Sequence, residues 1–132
     1  MLTSENRPNA NDWNGTIGEQ QTEWLVSELN LSVESGEKVI LFSHHPAWPE
    51  SEFNILDFQK LLDIIVNYDN IGAWFSGHNH DGGYGNYNLV HFVTFRGMVE
   101  TENINSYAVV ELYSNKIWIK GKGREKSQIL AW

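Results

Sequence analysis

Four of the five histidines in this chain fall in two short clusters, Ser43-His44-His45-Pro46 and Gly77-His78-Asn79-His80. No cysteine occurs, so any metal must be held by nitrogen and oxygen donors, which favours hydrolytic ions over iron-sulfur or thiolate-zinc sites. Glycine lets a chain leave a strand through conformations closed to other residues. After Gly77, the imidazoles of His78 and His80 can therefore turn towards one point. A Gly-His-x-His tetrapeptide alone is a weak signal. A second histidine cluster in an equivalent setting makes it stronger.

That setting comes from the elements around the clusters. Each follows an apolar run, Val39-Ile40-Leu41-Phe42 in one case and Ile71-Gly72-Ala73-Trp74-Phe75 in the other. Between them Phe58, Leu61, Leu62 and Ile65 repeat at i, i+3, i+4 and i+7, predicting a helix that starts near Asn54. Strand, helix, strand in that order is a βαβ unit with parallel strands. Parallel strands send their carboxyl ends to one edge, where open α/β sheets place ligands. His44, His78 and His80 are thus expected to converge, with His45 and His91 outside the cluster.

The rest of the chain reads as follows. Residues 1–15, polar and rich in Asn, are an extended lead-in in which Trp13 is a local packing anchor. Thr16 and Glu19 form a capping box for a helix over 17–33. Residues 38–43 make a strand covered on both faces, and 71–76 make its partner. Further strands are expected over 89–96, 106–113 and 116–120, the last two a hairpin across Ser114-Asn115, with Gly121 and Gly123 breaking its exit.

A chain of 132 residues with 41% hydrophobic and 13% aromatic residues can own a packed core. Its net charge of −8 argues against nucleic acid and anionic membranes as partners. There is no long apolar run and no signal-like start, so a cytoplasmic setting is expected.

These motifs resemble the calcineurin-like metallophosphoesterases, and among them the manganese-dependent ADP-ribose/CDP-alcohol diphosphatases. The strand-end His44-His45-Pro46 and Gly77-His78-Asn79-His80 carry the broader likeness. The narrower one rests on Asn11-Asp12-Trp13-Asn14-Gly15, Gly82-Gly83-Tyr84, Gly97-Met98-Val99-Glu100-Thr101 and Gly121-Lys122-Gly123-Arg124. The resemblance implies an αββα sandwich with two divalent ions, manganese foremost and iron, zinc or magnesium as alternatives. His44 and His78 would hold one ion and His80 the other. It also implies hydrolysis of a nucleotide diphosphate linkage such as that of ADP-ribose or a CDP-alcohol. The family's Asp-x-His, Gly-Asp-x-x-Asp and Gly-Asn-His-Asp/Glu motifs are missing from the sequence. The whole of 1–132 therefore resembles the C-terminal half of one such domain, inactive alone and completed by an amino-terminal half or a second chain.

Several residues carry two readings. His78 and His45 are the candidate catalytic residues, though His45 is equally a surface histidine. His91 reads as a hydrogen-bonded sheet histidine. Asp81 either orients a histidine or forms a turn, and Asp81 and Glu50 together offer about one carboxylate to the site. Gly82, Gly83 and Tyr84 either admit substrate or form a hairpin loop, and Trp48, with Phe53, either walls a nucleobase or packs in the core. The alternative to a hydrolase is a non-catalytic α/β module in which three histidines hold a single zinc.

Overall fold

The computed structural model describes Leu2–Thr3 and residues 13–132, so Asn11, Asp12 and most of the expected lead-in lie outside the described residues. The elements are β1 (Leu2–Thr3), β2 (Gly15–Thr16), α1 (Glu19–Ser35), β3 (Val39–Phe42), α2 (Phe58–Ile65), β4 (Ile71–Ser76), β5 (Gly83–Tyr87), β6 (Val90–Thr94), β7 (Ser106–Leu112), β8 (Lys116–Gly123) and β9 (Gln128–Ala131). One sheet has the order β3-β4-β6-β5, with β3, β4 and β6 parallel and β5 antiparallel to β6. A second, antiparallel sheet has the order β7-β8-β9, and β1 pairs with β2. The fold class is that expected: half of an αββα sandwich, a parallel βαβ unit followed by antiparallel strands.

Period-two alternation in β4 explains the layers. Trp74 faces one way, joining Leu25, Leu29, Leu61, Leu62 and Ile65 of the two helices. Ala73 and Phe75 face the other, meeting Ile117, Ile119 and Leu130 of the second sheet. All six residues of β4 are buried, so this strand is the spine of a helix, sheet, sheet stack. Among the described residues no helix is long and apolar enough to cross a membrane.

The structure corrects five local expectations. Thr16 does not cap α1. It lies in β2, its hydroxyl has no partner among the described residues, and the helix starts after Gly18 at φ 78°, ψ 169°, a conformation essentially reserved for glycine. The carboxylate of Asp57 instead accepts from the backbone N–H groups of Ile17 and Gly18 at 3.2 and 3.5 Å. That use of Asp57 helps to delay α2 to Phe58. Asn54, expected near the helix start, is buried in the preceding loop and donates to the Ala47 carbonyl at 2.9 Å.

β3 is not covered on both faces. It is the edge of its sheet, Phe42 is 74% exposed, and a groove of about 1100 Å³ runs between β3 and α1. Leu89 is not a strand residue. With Asn88 it has positive φ (67° and 49°) and forms the turn joining β5 to β6, where it is 85% exposed. Finally, Gly121 and Gly123 do not end the hairpin: β8 runs through both, and β9 then pairs back onto it.

Candidate metal centre

The parallel ladder between β3 and β4 continues past both strands. Ser43 N–H donates to the Phe75 carbonyl at 3.0 Å and Gly77 N–H to the His44 carbonyl at 2.9 Å. Two backbone rungs therefore set His44 beside His78, although 34 residues separate them. His78 has φ 63°, which swings its ring back over the sheet edge. The result is a three-ring cluster. Ring centroids lie 5.0 Å apart for His44–His45, 5.0 Å for His44–His78 and 4.1 Å for His45–His78.

One ring nitrogen from each of His44, His45 and His78 lies within 4.8 Å of the others. Between His78 Nδ1 and His44 Nε2 the separation is 3.2 Å. Two nitrogens each about 2.1 Å from one ion sit roughly 3.0–3.4 Å apart, so this pair is already at the spacing of neighbouring ligands. His78 Nε2 is buried and has no hydrogen-bond partner among the described residues. His45 Nε2 lies 2.7 Å from the Trp13 carbonyl, and since a carbonyl only accepts, Nε2 carries the hydrogen.

Electrostatics favour the neutral form at His78 and His45. Burial, reinforced by neighbouring His45, His44 and His80, pushes the pKa of His78 down to about 4. Burial also lowers that of His45, with His44 adding to the effect and the Trp13 hydrogen bond opposing it. Neutral imidazoles are the form that binds cations, so these residues fit a divalent ion. They fit it only in part, because no carboxylate joins the group among the described residues.

The expected membership changes in two respects. His45 lies inside the cluster, where the sequence placed it outside, because the hydrogen bond to Trp13 turns its ring inward. His80 is not among the three grouped nitrogens: its Nδ1 makes a very short hydrogen bond to Glu100 Oε1 on the loop after β6. Glu100 is the site-edge residue that sequence reasoning passed over. The Gly97–Thr101 stretch was a signal, but nothing in it names a partner 20 residues upstream.

The other candidates divide. His91 is a sheet histidine, donating from Nε2 to the Ala131 carbonyl at 2.8 Å and accepting from Tyr84 Oη at 2.9 Å. Tyr84, 50% exposed, lies in strand β5 together with Gly83, and with Gly82 the two border a 240 Å³ pocket next to Arg96. Trp48 packs on Tyr87 and the helix-side core, while the Phe53 ring stands edge-on to His78 at 5.9 Å. The Trp13 ring is 53% exposed, and its backbone carbonyl contacts His45 Nε2. Asp81 touches Arg96 through its carbonyl and not its carboxylate.

A histidine cluster thus lies at the carboxyl ends of parallel strands, at one edge of a two-sheet stack, in a fold similar to that of a dimetal phosphatase. That phosphatase, from Danio rerio, superposes with a TM-score of 0.87 at 28% identity, over 92% of this chain and 40% of that one. No protein-family model matches the chain. In sequence it is 31% identical over 123 residues to the manganese-dependent ADP-ribose/CDP-alcohol diphosphatase of Homo sapiens, covering 89% of this chain and 36% of that protein. To the Arabidopsis thaliana protein of the same name it is 32% identical over 120 residues, covering 87% and 39%. The chain thus resembles these manganese-dependent diphosphatases in sequence and a dimetal phosphatase in fold, as its calcineurin-like motifs imply. It spans little more than a third of the curated relatives' length.

Proposed function

We propose that this chain is the carboxyl-terminal half, 1–132, of one metallophosphoesterase domain that hydrolyses nucleotide diphosphate linkages such as those of ADP-ribose or CDP-alcohols. The observation that carries the reading is the approach of His78 Nδ1 to His44 Nε2, 3.2 Å at the ends of two parallel strands, with His78 Nε2 buried and without a hydrogen-bond partner among the described residues. The names of the relatives support the substrate class and manganese, with iron, zinc or magnesium as other candidates.

In this reading His44 and His78 hold one divalent ion and His80 the other. When bound, such ions polarise phosphoryl oxygens and activate a water. The protein's own part is positional. His44 and His78 are fixed by backbone rungs, and the lowered pKa of His78 keeps that ring neutral. His45 has its Nε2 hydrogen committed to the Trp13 carbonyl and so does not donate that hydrogen to phosphate. Phe53 is a better candidate than Trp48 to flank the substrate, and Gly82, Gly83 and Tyr84 border the second pocket through which it would extend.

Nitrogen ligands alone leave two dications unscreened from each other, so the missing carboxylates must come from an amino-terminal half or a second chain. The open edge of β3 and the groove beside it end at His44, which is where such a segment would deliver them. The setting proposed is cytoplasmic, with no nucleic-acid partner for a chain of charge −8.

One observation favours a second reading. The three grouped nitrogens, His44, His45 and His78, are also the donor set of a single three-histidine zinc site. Metal analysis of the chain joined to an amino-terminal metallophosphoesterase half, with manganese and ADP-ribose or CDP-choline, separates the two. Two ions per site and turnover lost on His78→Ala support the hydrolase. One tightly held zinc without turnover supports the module.

A further inference from the structure

We infer that Glu100 is a positioning residue for His80: its carboxylate fixes the imidazole in the Nδ1–H tautomer and so presents Nε2 as a bare lone pair. This rests on the assignment of His80 to a metal. At neutral pH a carboxylate only accepts, so the hydrogen in the short Nδ1···Oε1 contact belongs to His80. The remaining nitrogen of a neutral ring is then the ligand, the arrangement by which an outer carboxylate orients a metal-bound histidine.

The surroundings are built around that ring. Gly97 N–H donates to the His80 carbonyl at 3.0 Å, and a Cβ at position 97 would stand 2.5 Å from His80 Cγ, so only glycine lets the loop lie this close. Arg124 Nη2 donates to the Gly97 carbonyl, and Arg96 Nη1 to the Arg124 carbonyl at 2.9 Å, tying the loop to the turn between β8 and β9. The Arg96 N–H reaches Glu125 Oε2 at 2.7 Å. Glu100 is thus brought to His80 by a loop braced at several points. The side chains of His80 and Glu100 are 50% and 42% exposed, and ion pairs that exposed add little to stability. Orientation is the consequence left to them.

Long-range 1H–15N spectra of the metal-free chain, with labelled histidine at about pH 8 where imidazole is ordinarily neutral, read the tautomer directly. His80 is expected as Nδ1–H. Glu100→Ala should return it to the Nε2–H form that unrestrained histidine prefers, and Glu100→Gln, whose amide oxygen still accepts, should keep it. Manganese titration followed by electron paramagnetic resonance should then show affinity falling about 10–100-fold in Glu100→Ala and recovering in Glu100→Gln. Dispersed amide spectra certify the fold of each variant. An unchanged tautomer in Glu100→Ala overturns the inference, as does unchanged affinity in a chain where His80→Ala abolishes binding. If His80→Ala leaves manganese binding intact while Glu100→Ala shifts the tautomer, the pairing stands and the metal assignment of His80 fails.

Discussion

His44 and His80 reach the same edge of the sheet by different physics. His44, with His78, is placed by main chain: two rungs of a parallel ladder continue beyond β3 and β4, so any sequence that pairs these strands sets the rings side by side. His80 is placed by side chain, through Glu100 on a loop that a separate strand delivers. The first arrangement follows from strand topology and the second from loop contacts, Gly97 N–H to the His80 carbonyl and Glu100 to the His80 ring. Substitutions should therefore act on them separately.

The largest effect is expected for Phe75→Ala. Phe75 is 2% exposed and meets the rings of Phe42 and Phe95 edge-on at 5.5 and 5.4 Å. Its loss should cost about 3–5 kcal/mol in urea denaturation, and the His44 and His78 ring resonances should move more than that of His80. Equal movement of all three would erase the distinction between the two regions.

Asp57→Ala should come next, at about 1–3 kcal/mol, because it strands the N–H groups of Ile17 and Gly18. That segment also presents the Trp13 carbonyl, so the resonance of His45 should respond while His80 stays still. Gly97→Ala is the mirror case. Its Cβ collides with a half-exposed ring that can swing outward, so about 1 kcal/mol is expected, with His80 displaced and the three-ring cluster untouched.

The smallest effect is on pH dependence. His78 is neutral in the fold with its pKa near 4, whereas an unfolded histidine titrates near about 6.5. Between those values the unfolded chain binds more protons. The contribution is complete above about pH 6.5 and is lost as pH falls towards 4, so the metal-free melting temperature should drop between about pH 7 and about pH 5. Solvent screening of a half-buried ring keeps the drop well below its full linkage value. His78→Ala should flatten the profile, and a profile unchanged by that substitution would assign the drop elsewhere.

The same division marks what the sequence could disclose. β4 was legible to the residue because an apolar run buried on both sides has sharp ends, and the βαβ order fixed which edge His44 and His78 share. β3 looked equally apolar yet is an edge strand, since apolarity does not say whether a neighbour is present. Thr16 and Glu19 matched a capping pattern that lost to Asp57, about forty residues away, and β5 was hidden because Gly83-Tyr84-Gly85 reads as turn. The place of His45 within the cluster and the contact of Glu100 went unread for one reason. Each is placed by a long-range hydrogen bond, to Trp13 and to His80, that no local pattern encodes.

Anomalous scattering at the manganese edge, from crystals of the chain soaked in the ion, tests most directly whether the three-ring cluster is a metal site. The account predicts a peak at bonding distance from His44 and His78, weakly occupied without added carboxylates, with the hydrogen bond between those two rings broken to admit it. A peak held only by surface carboxylates, with His44 and His78 still bonded to each other, would contradict it.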